Sequence, residues 1–408
     1  MKIAFIVSKF PALSETFILD QITGLIDRGH EVDIYSSMKG DDSTIHPDIE
    51  KYNLLTRTYY RPNMPSNFVL TSIKGLVLFL MNFIKNPKIM LRTLDVFKFW
   101  KKAFFFTLVY KVIPFLPSKS YDIVHCHFGA NGLSGVFLRE IEVLKGKVIT
   151  SFHGYDLTQY VKEKGRDVYK FLFEKGELFL PVSNYLKDRL IELGCNEDKI
   201  LVHYMGINSG KFPFRSRGMS DGGVTRIITI GRLIEKKGIA YGIRAVRRLK
   251  KEKLNVEYNI IGRGPLKKEL ESLIEELGLT EEVKLLGAKN HQEVISLLDY
   301  SHILLAPSVT ASDADQEGIP IVLMEAMAMG LLVVSTHYSG IPELIEEEKT
   351  GLLAGEKDVN AISEKIARLI KHPEISEKMA QFAHAFIEEH FEVEKLNDSL
   401  VRIYESLA

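Results

Sequence analysis

Cysteine is nearly absent. Two in 408 residues, Cys126 and Cys195, make neither a disulfide framework nor a thiolate metal cluster, and they point to a reducing compartment. Net charge is absent too. Lys+Arg and Asp+Glu each total 53, which excludes a chain recruited to nucleic acid by bulk charge. There is one tryptophan, Trp100, and no run long enough to span a bilayer. The longest uncharged stretch of the basic, aromatic region is the ten residues Gly75 to Ile84, against roughly 20 required. The N-terminus has a single lysine and an apolar run of five residues, too short for a signal-peptide core.

What is present is a soluble globular composition, 46% apolar and 26% charged, in a length that suits two domains. Ile3 to Val7 reads as a strand covered on both faces. A polar loop, a helix over Glu15 to Arg28 and a strand over Val32 to Tyr35 come next. This order opens a doubly wound α/β sheet. Tyr121 to His127, Val148 to Phe152 and Leu178 to Pro181 continue it, and Ile200 to Val202 is expected to add a short strand. The polar, glycine-rich run Arg215 to Gly223 is the expected domain boundary. After it the strand-helix rhythm restarts at Arg226 to Ile230 and runs on to strands at Val333-Val334 and Gly351 to Leu353. Three helices close the chain.

Residues 62–119 interrupt the first half. From Phe68 to Lys119 there are nine basic residues, one acid (Asp95) and eleven aromatics. Basic, aromatic helices too short to span suit an anionic membrane surface. A helical insertion packed on its own domain is the alternative.

In a doubly wound sheet, ligands sit at the carboxyl ends of the strands. Ser8 to Thr16 is one such loop. YDIVHCH ends in His125 and His127, two residues apart on one face of a strand with no third ligand nearby, so a structural role is expected. His153 follows a buried strand and precedes a glycine, which places it where such a sheet presents its chemistry, with Asp156 to cap or orient the adjoining turn. In the second half, Arg232 and Lys237 set two cations on a strand-to-helix turn, suited to a diphosphate leaving group. Gly262 and Gly264 permit a close backbone approach to a ligand. Glu317 and Glu325 flank Gly318-Ile319-Pro320-Ile321, where a helix N-terminus can hold phosphate and Glu325 can accept both hydroxyls of a ribose. Ser339 and Gly340, in Ser-Gly-Ile-Pro-Glu, repeat that device. Asp313 and Asp315 match a D-x-D metal motif but read better as a solvated loop.

GRLIEKKG, GRGP, EGIPIVLME and SGIPE, in this order, resemble family 4 retaining glycosyltransferases of the GT-B fold. KFPALSETFI, HCHFGANG and SFHGYDLT look like the bacterial enzymes that build exopolysaccharide repeat units of the colanic acid and amylovoran type. The resemblance implies two Rossmann-like domains facing across a cleft. Residues 1–214 would be the acceptor domain with its insertion at 62–119, and 215–385 the nucleotide-sugar domain. Residues 386–408 would cross back onto the first. It implies a hexose moved from a UDP-sugar, with a GDP-sugar as the alternative, to a lipid-linked oligosaccharide in exopolysaccharide, capsule or O-antigen assembly.

It further implies that Arg232 and Lys237 meet the diphosphate, Glu325 the ribose and Glu317 the transferred sugar. His153 would lie nearest the reacting carbon, with His127, Gly129 and Asp156 on the acceptor side. No cofactor and no metal are expected. The expected location is cytoplasmic, peripheral on the inner face of the plasma membrane through residues 68–119. Many members carry a Gly-Gly pair in the first loop; here Ser14 and Thr16 hydroxyls would have to serve. A sugar-nucleotide epimerase or phosphorylase of the same fold, and a non-catalytic membrane-associated scaffold, remain as alternatives.

Overall fold

The computed structural model describes residues 1–12, 15–40, 46–84, 86–93, 105–117, 119–217 and 223–407. Two parallel sheets of six strands organise it. The first comprises β1 (Lys2–Phe10), β2 (Glu31–Lys39), β3 (Thr58–Tyr60), β4 (Ser120–His127), β5 (Lys145–Phe152) and β6 (Leu178–Pro181), in the order β3-β2-β1-β4-β5-β6. The second comprises β7 (Thr225–Ile230), β8 (Val256–Ile261), β9 (Val283–Gly287), β10 (Ile303–Ala306), β11 (Leu332–Thr336) and β12 (Leu352–Ala354), in the order β12-β11-β10-β7-β8-β9. The order reverses beside β1 and beside β7, so each sheet has a crevice where its strand connections diverge.

The central strands are apolar on both faces because helices cover both. Ile3, Phe5 and Val7 pack into one cluster and Ala4 and Ile6 into another. The same division serves β7, where Ile227 and Ile228 belong to different clusters. The expected strand at Ile200 to Val202 does not form. Ile200 makes a single bridge to Phe179, and the Leu201 and His203 amides donate to the Phe179 and Pro181 carbonyls without forming a strand.

The chain crosses between the domains twice, side by side. Met205 packs with the first sheet, while Ile207, Phe212 and Phe214 pack with the second. The return lies opposite: the Ile207 amide donates to the Phe391 carbonyl, and the Val393 amide to the Ile207 carbonyl, each at 2.9 Å. Packing therefore changes domain near Gly206, ahead of the glycine-rich run at 215–223. The helix Pro373–His390 stays with the second domain through Ala383 and Ile387. The last helix, Val393–Leu407, lies on the first, where Leu400, Ile403 and Tyr404 join the cluster of Phe5 and Ile22. Arg28 clamps it through Glu394 at 2.9 Å and Asp398 at 2.7 Å.

Within the insertion, the helix Phe68–Phe83 turns Thr71 and Gly75 inward. Its other face is apolar and open: Phe68, Leu70, Ile73, Val77, Leu80 and Met81 are each 48–65% exposed. No helix among the described residues is long and apolar enough to cross a membrane. Trp100, Lys98, Lys101 and Lys102 lie outside the described residues.

Candidate active site

The carboxyl ends of β4 and β5 are tied together by one buried carboxylate. Asp156 accepts from the Gly129 amide at 3.0 Å and from the His153 and Gly154 amides at 3.0 and 2.9 Å. Burial nevertheless pushes its carboxyl up to about 6, against the pull of those amides. Phe128, at φ +71°, turns the chain between β4 and its helix and lays its ring 4.6 Å from that of His153. A non-glycine residue held at positive φ stores strain, which the surrounding packing sustains.

His153 is the end of a row of histidines. Its Nε2 lies 3.1 Å from His127 Nδ1. His125, next in the row, bonds Tyr404 at 2.6 Å and Ser151 at 2.7 Å. Burial pushes His153 down to about 3 and holds His125 and His127 well below their ordinary value, so the row is neutral near pH 7. His127 is fully buried, as is the Asp156 carboxylate. The sequence expectation that these two face the acceptor is corrected: they hold His153 and Gly129 in place from behind. The Gly129 position is also internal, since a Cβ there would lie 2.5 Å from the Tyr169 ring.

Across the cleft, Lys237 Nζ lies 2.8 Å from both oxygens of Glu317. Burial opposes the Glu317 charge, but Lys237, Lys236 and Arg232 outweigh it and hold the carboxyl below its ordinary value. Arg232 itself is exposed at the rim. The Glu317 backbone is held by its neighbours: its amide donates to the Tyr338 hydroxyl at 3.0 Å, and Ser339 Oγ donates to its carbonyl at 2.6 Å. Ser339 thus positions Glu317. Asp315 is not a solvated loop residue. It pairs at 2.8 Å with Lys236, whose side chain is 5% exposed.

The two halves meet at this point. The Gly318 amide donates to the His153 carbonyl at 2.9 Å. Gly154, at φ +122°, makes room for it, since a Cβ there would lie 2.8 Å from Glu317 and the Gln316 carbonyl. Gly340 likewise abuts Ser183 of the first domain. Below it, Glu343 accepts from the Asn184 and Tyr185 amides at 2.7 and 2.9 Å, at the N-terminus of the helix Asn184–Glu192, and from Tyr204 Oη at 2.9 Å. Nothing in the sequence around Glu343 reveals this partner, which is more than 150 residues away.

The helix after Glu317 runs Ile321–Ala328 with Pro320 as its N-cap. Ile319 packs with the second-domain core, and Ile321 touches the cores of both domains. Glu325, in the second turn, is raised to about 7 by burial and then by Asp20 on the first-domain helix Thr16–Asp27. Asp20 has no sequence signal of its own; the fold alone brings it to the cleft. Gly262 and Gly264 serve a different purpose from the expected ligand approach. Their missing Cβ atoms would lie 1.8 Å from the Gly231 carbonyl and 2.3 Å from the Leu233 carbonyl, so they let the Arg232 loop dock on its neighbour. Thr16 opens its helix half-buried, and Ser14 lies outside the described residues.

Two facing doubly wound sheets, with an ion-paired carboxylate and a neutral histidine meeting in the cleft between them, define a GT-B glycosyltransferase fold. The model of "Glycosyltransferase Family 4" matches residues 14–211, and that of "Glycosyl transferases group 1" matches residues 214–386. The putative colanic acid biosynthesis glycosyltransferase WcaL of Salmonella typhimurium is 36% identical, with all of both chains covered. The amylovoran biosynthesis glycosyltransferase AmsK of Erwinia amylovora is 37% identical over the same full coverage. The chain belongs to the family 4 glycosyltransferases. Among solved structures, Anabaena HepE in complex with UDP and glucose superposes with a TM-score of 0.74 at 18% identity, all of both chains covered.

Proposed function

We propose that this chain is a retaining hexosyltransferase. It moves a hexose from a nucleoside diphosphate sugar, a UDP-sugar in the first instance, to a lipid-linked saccharide acceptor during exopolysaccharide repeat-unit assembly. The observation that carries the reading is the meeting of Lys237, Glu317 and Arg232 from one domain with His153 from the other. Arg232 and Lys237 take up the negative charge that develops on the leaving diphosphate, in place of a metal ion. Glu317, ionised by its lysine, holds the sugar, and Glu325 receives the ribose hydroxyls. His153 is neutral and lines the approach to the reacting carbon. The sugar departs as an oxocarbenium-like species, the acceptor hydroxyl attacks on the same face, and the leaving phosphate takes its proton. Catalysis is then mostly positioning and electrostatic stabilisation.

The pathway is supported by the names of the two relatives, and the UDP-sugar by the ligands of HepE. Contact with the inner face of the plasma membrane is supported by the exposed apolar face of Phe68–Phe83, larger than a solvated helix normally presents. The test is a panel of radiolabelled nucleotide sugars incubated with the protein and a membrane lipid extract. One donor should label the lipid fraction and release its nucleotide. Arg232→Ala and Lys237→Ala should each cut that rate by about 100-fold or more while the protein stays folded. Near-normal transfer by both variants would overturn the assignment.

A further inference from the structure

A cavity of about 250 Å³ opens in the first domain, apart from the Glu317 site. It is smaller than the roughly 300 Å³ at which pockets for whole small molecules begin, so it suits a single compact group. Arg61, Lys111, Ser37, Ser134, Asn131 and Tyr160 line it. Arg61 directly follows β3, Ser37 is on β2, and Asn131 and Ser134 are on the helix that follows β4. The cavity therefore lies at the carboxyl edge of the sheet, where such folds bind ligands.

Its two cations, both part-buried, have no carboxylate partner among the described residues. Arg61 Nε is buried without a hydrogen-bond partner. Lys111 Nζ donates a long hydrogen bond, 3.5 Å, to Ser134 Oγ. Burial, and for Lys111 the neighbouring arginine, push both groups below their ordinary values. Two desolvated cations side by side are costly unless an anion completes the set. A planar guanidinium beside an ammonium is the donor pair that phosphate oxygens accept well.

The surroundings give the anion a context. Lys111 is on the helix Phe105–Val112, and the hydroxyl of the adjacent Tyr110 donates to the Thr71 carbonyl, at 3.0 Å, on the apolar helix Phe68–Phe83. At the opposite wall, the Asn131 side-chain amide donates to the His127 carbonyl at 2.7 Å, and His127 holds His153. The cavity thus lies between a surface suited to lipid and the histidine that lines the reaction site.

We propose that Arg61 and Lys111 bind the phosphate or diphosphate through which the acceptor saccharide is joined to its lipid. This rests on the transferase reading above. The lipid chain then lies along Phe68–Phe83, and the saccharide points past Asn131 toward His153.

The test uses the full chain and calorimetry with farnesyl diphosphate, with UDP saturating the donor side. Farnesyl diphosphate should bind in the presence of UDP. Arg61→Gln and Lys111→Gln should each weaken it by about tenfold or more, with UDP affinity unchanged and the melting temperature of the free protein no lower. Lys111→Gln covers the case in which the arginine variant fails to fold. Binding of the parent and both variants to phosphatidylglycerol vesicles should be alike. The proposal is overturned if UDP displaces farnesyl diphosphate, or if the variants bind it as the parent does. It is equally overturned if vesicle binding falls in step, which would make the cavity a site for bulk headgroups. Failure of the parent to bind UDP would count against the transferase reading, and with it against an acceptor site.

Discussion

Glu317 keeps its charge against burial because Lys237, 2.8 Å away, acts with Lys236 and Arg232 to hold its carboxyl below the ordinary value. The histidine row opposite has the reverse character. His125, His127 and His153 are neutral because they are buried, and their folded values lie below the ordinary 6.5. The unfolded chain therefore binds protons first as pH falls. Stability conferred by the neutral row is complete above about pH 6.5 and is lost progressively below it, down to about 3 for His153. Each ring that stays neutral contributes up to about 1.4 kcal/mol of loss per pH unit in that window. The melting temperature should fall steeply between about pH 5 and pH 3, once Asp156 and Glu325, whose raised values oppose this loss at higher pH, have taken up their protons. A flat profile would contradict the neutral, buried row.

At the scale of elements, Phe68–Phe83 makes the clearest prediction. Leu76 and Leu80 already face solvent, so Leu76→Glu and Leu80→Glu should leave the melting temperature unchanged. Each should weaken cosedimentation with phosphatidylglycerol vesicles by about 30-fold, because a buried leucine gains about 2 kcal/mol from leaving water. Retained binding would remove the helix from the membrane contact. Elements also show what a sequence makes legible. β1 announces itself because a strand covered on both faces is continuously apolar, and β4, β5, β7 and β8 do so through shorter apolar runs in the same strand-helix rhythm. β3 does not, since Thr58–Tyr60 is three residues of an edge strand, all half-buried. Ile200 to Val202 has the composition of a strand but finds only one bridge. Glu317, Lys237 and His153 were legible because strand ends of this fold gather chemistry. The roles of Gly262, Gly264 and Asp315 were not, because each is decided by a loop or side chain distant in sequence.

The whole molecule is two rigid sheets joined by paired crossings at Ile207 and Phe391–Val393, with Glu343 as a latch away from them. Four donors from the first domain converge on that one carboxylate: two amides, the Asn184 side chain and Tyr204. Glu343→Gln keeps the shape and removes the charge, which costs hydrogen bonds to an ionised group roughly half their strength. The cleft should open more often. Solution scattering should report a larger radius of gyration, and turnover should fall by about tenfold with donor affinity little changed. Unchanged scattering and turnover would show that closure does not depend on the latch.

The last helix, Val393–Leu407, carries a consequence for how the protein is made. Tyr404 bonds His125 in the centre of the first domain, and Leu400 fills the same core as Phe5. A ribosome therefore releases the second domain's sheet before it supplies the piece that seals the first. The amino-terminal half must wait, with an open apolar flank, until the second domain has been made. In this chain the domain synthesised first is the last to be completed.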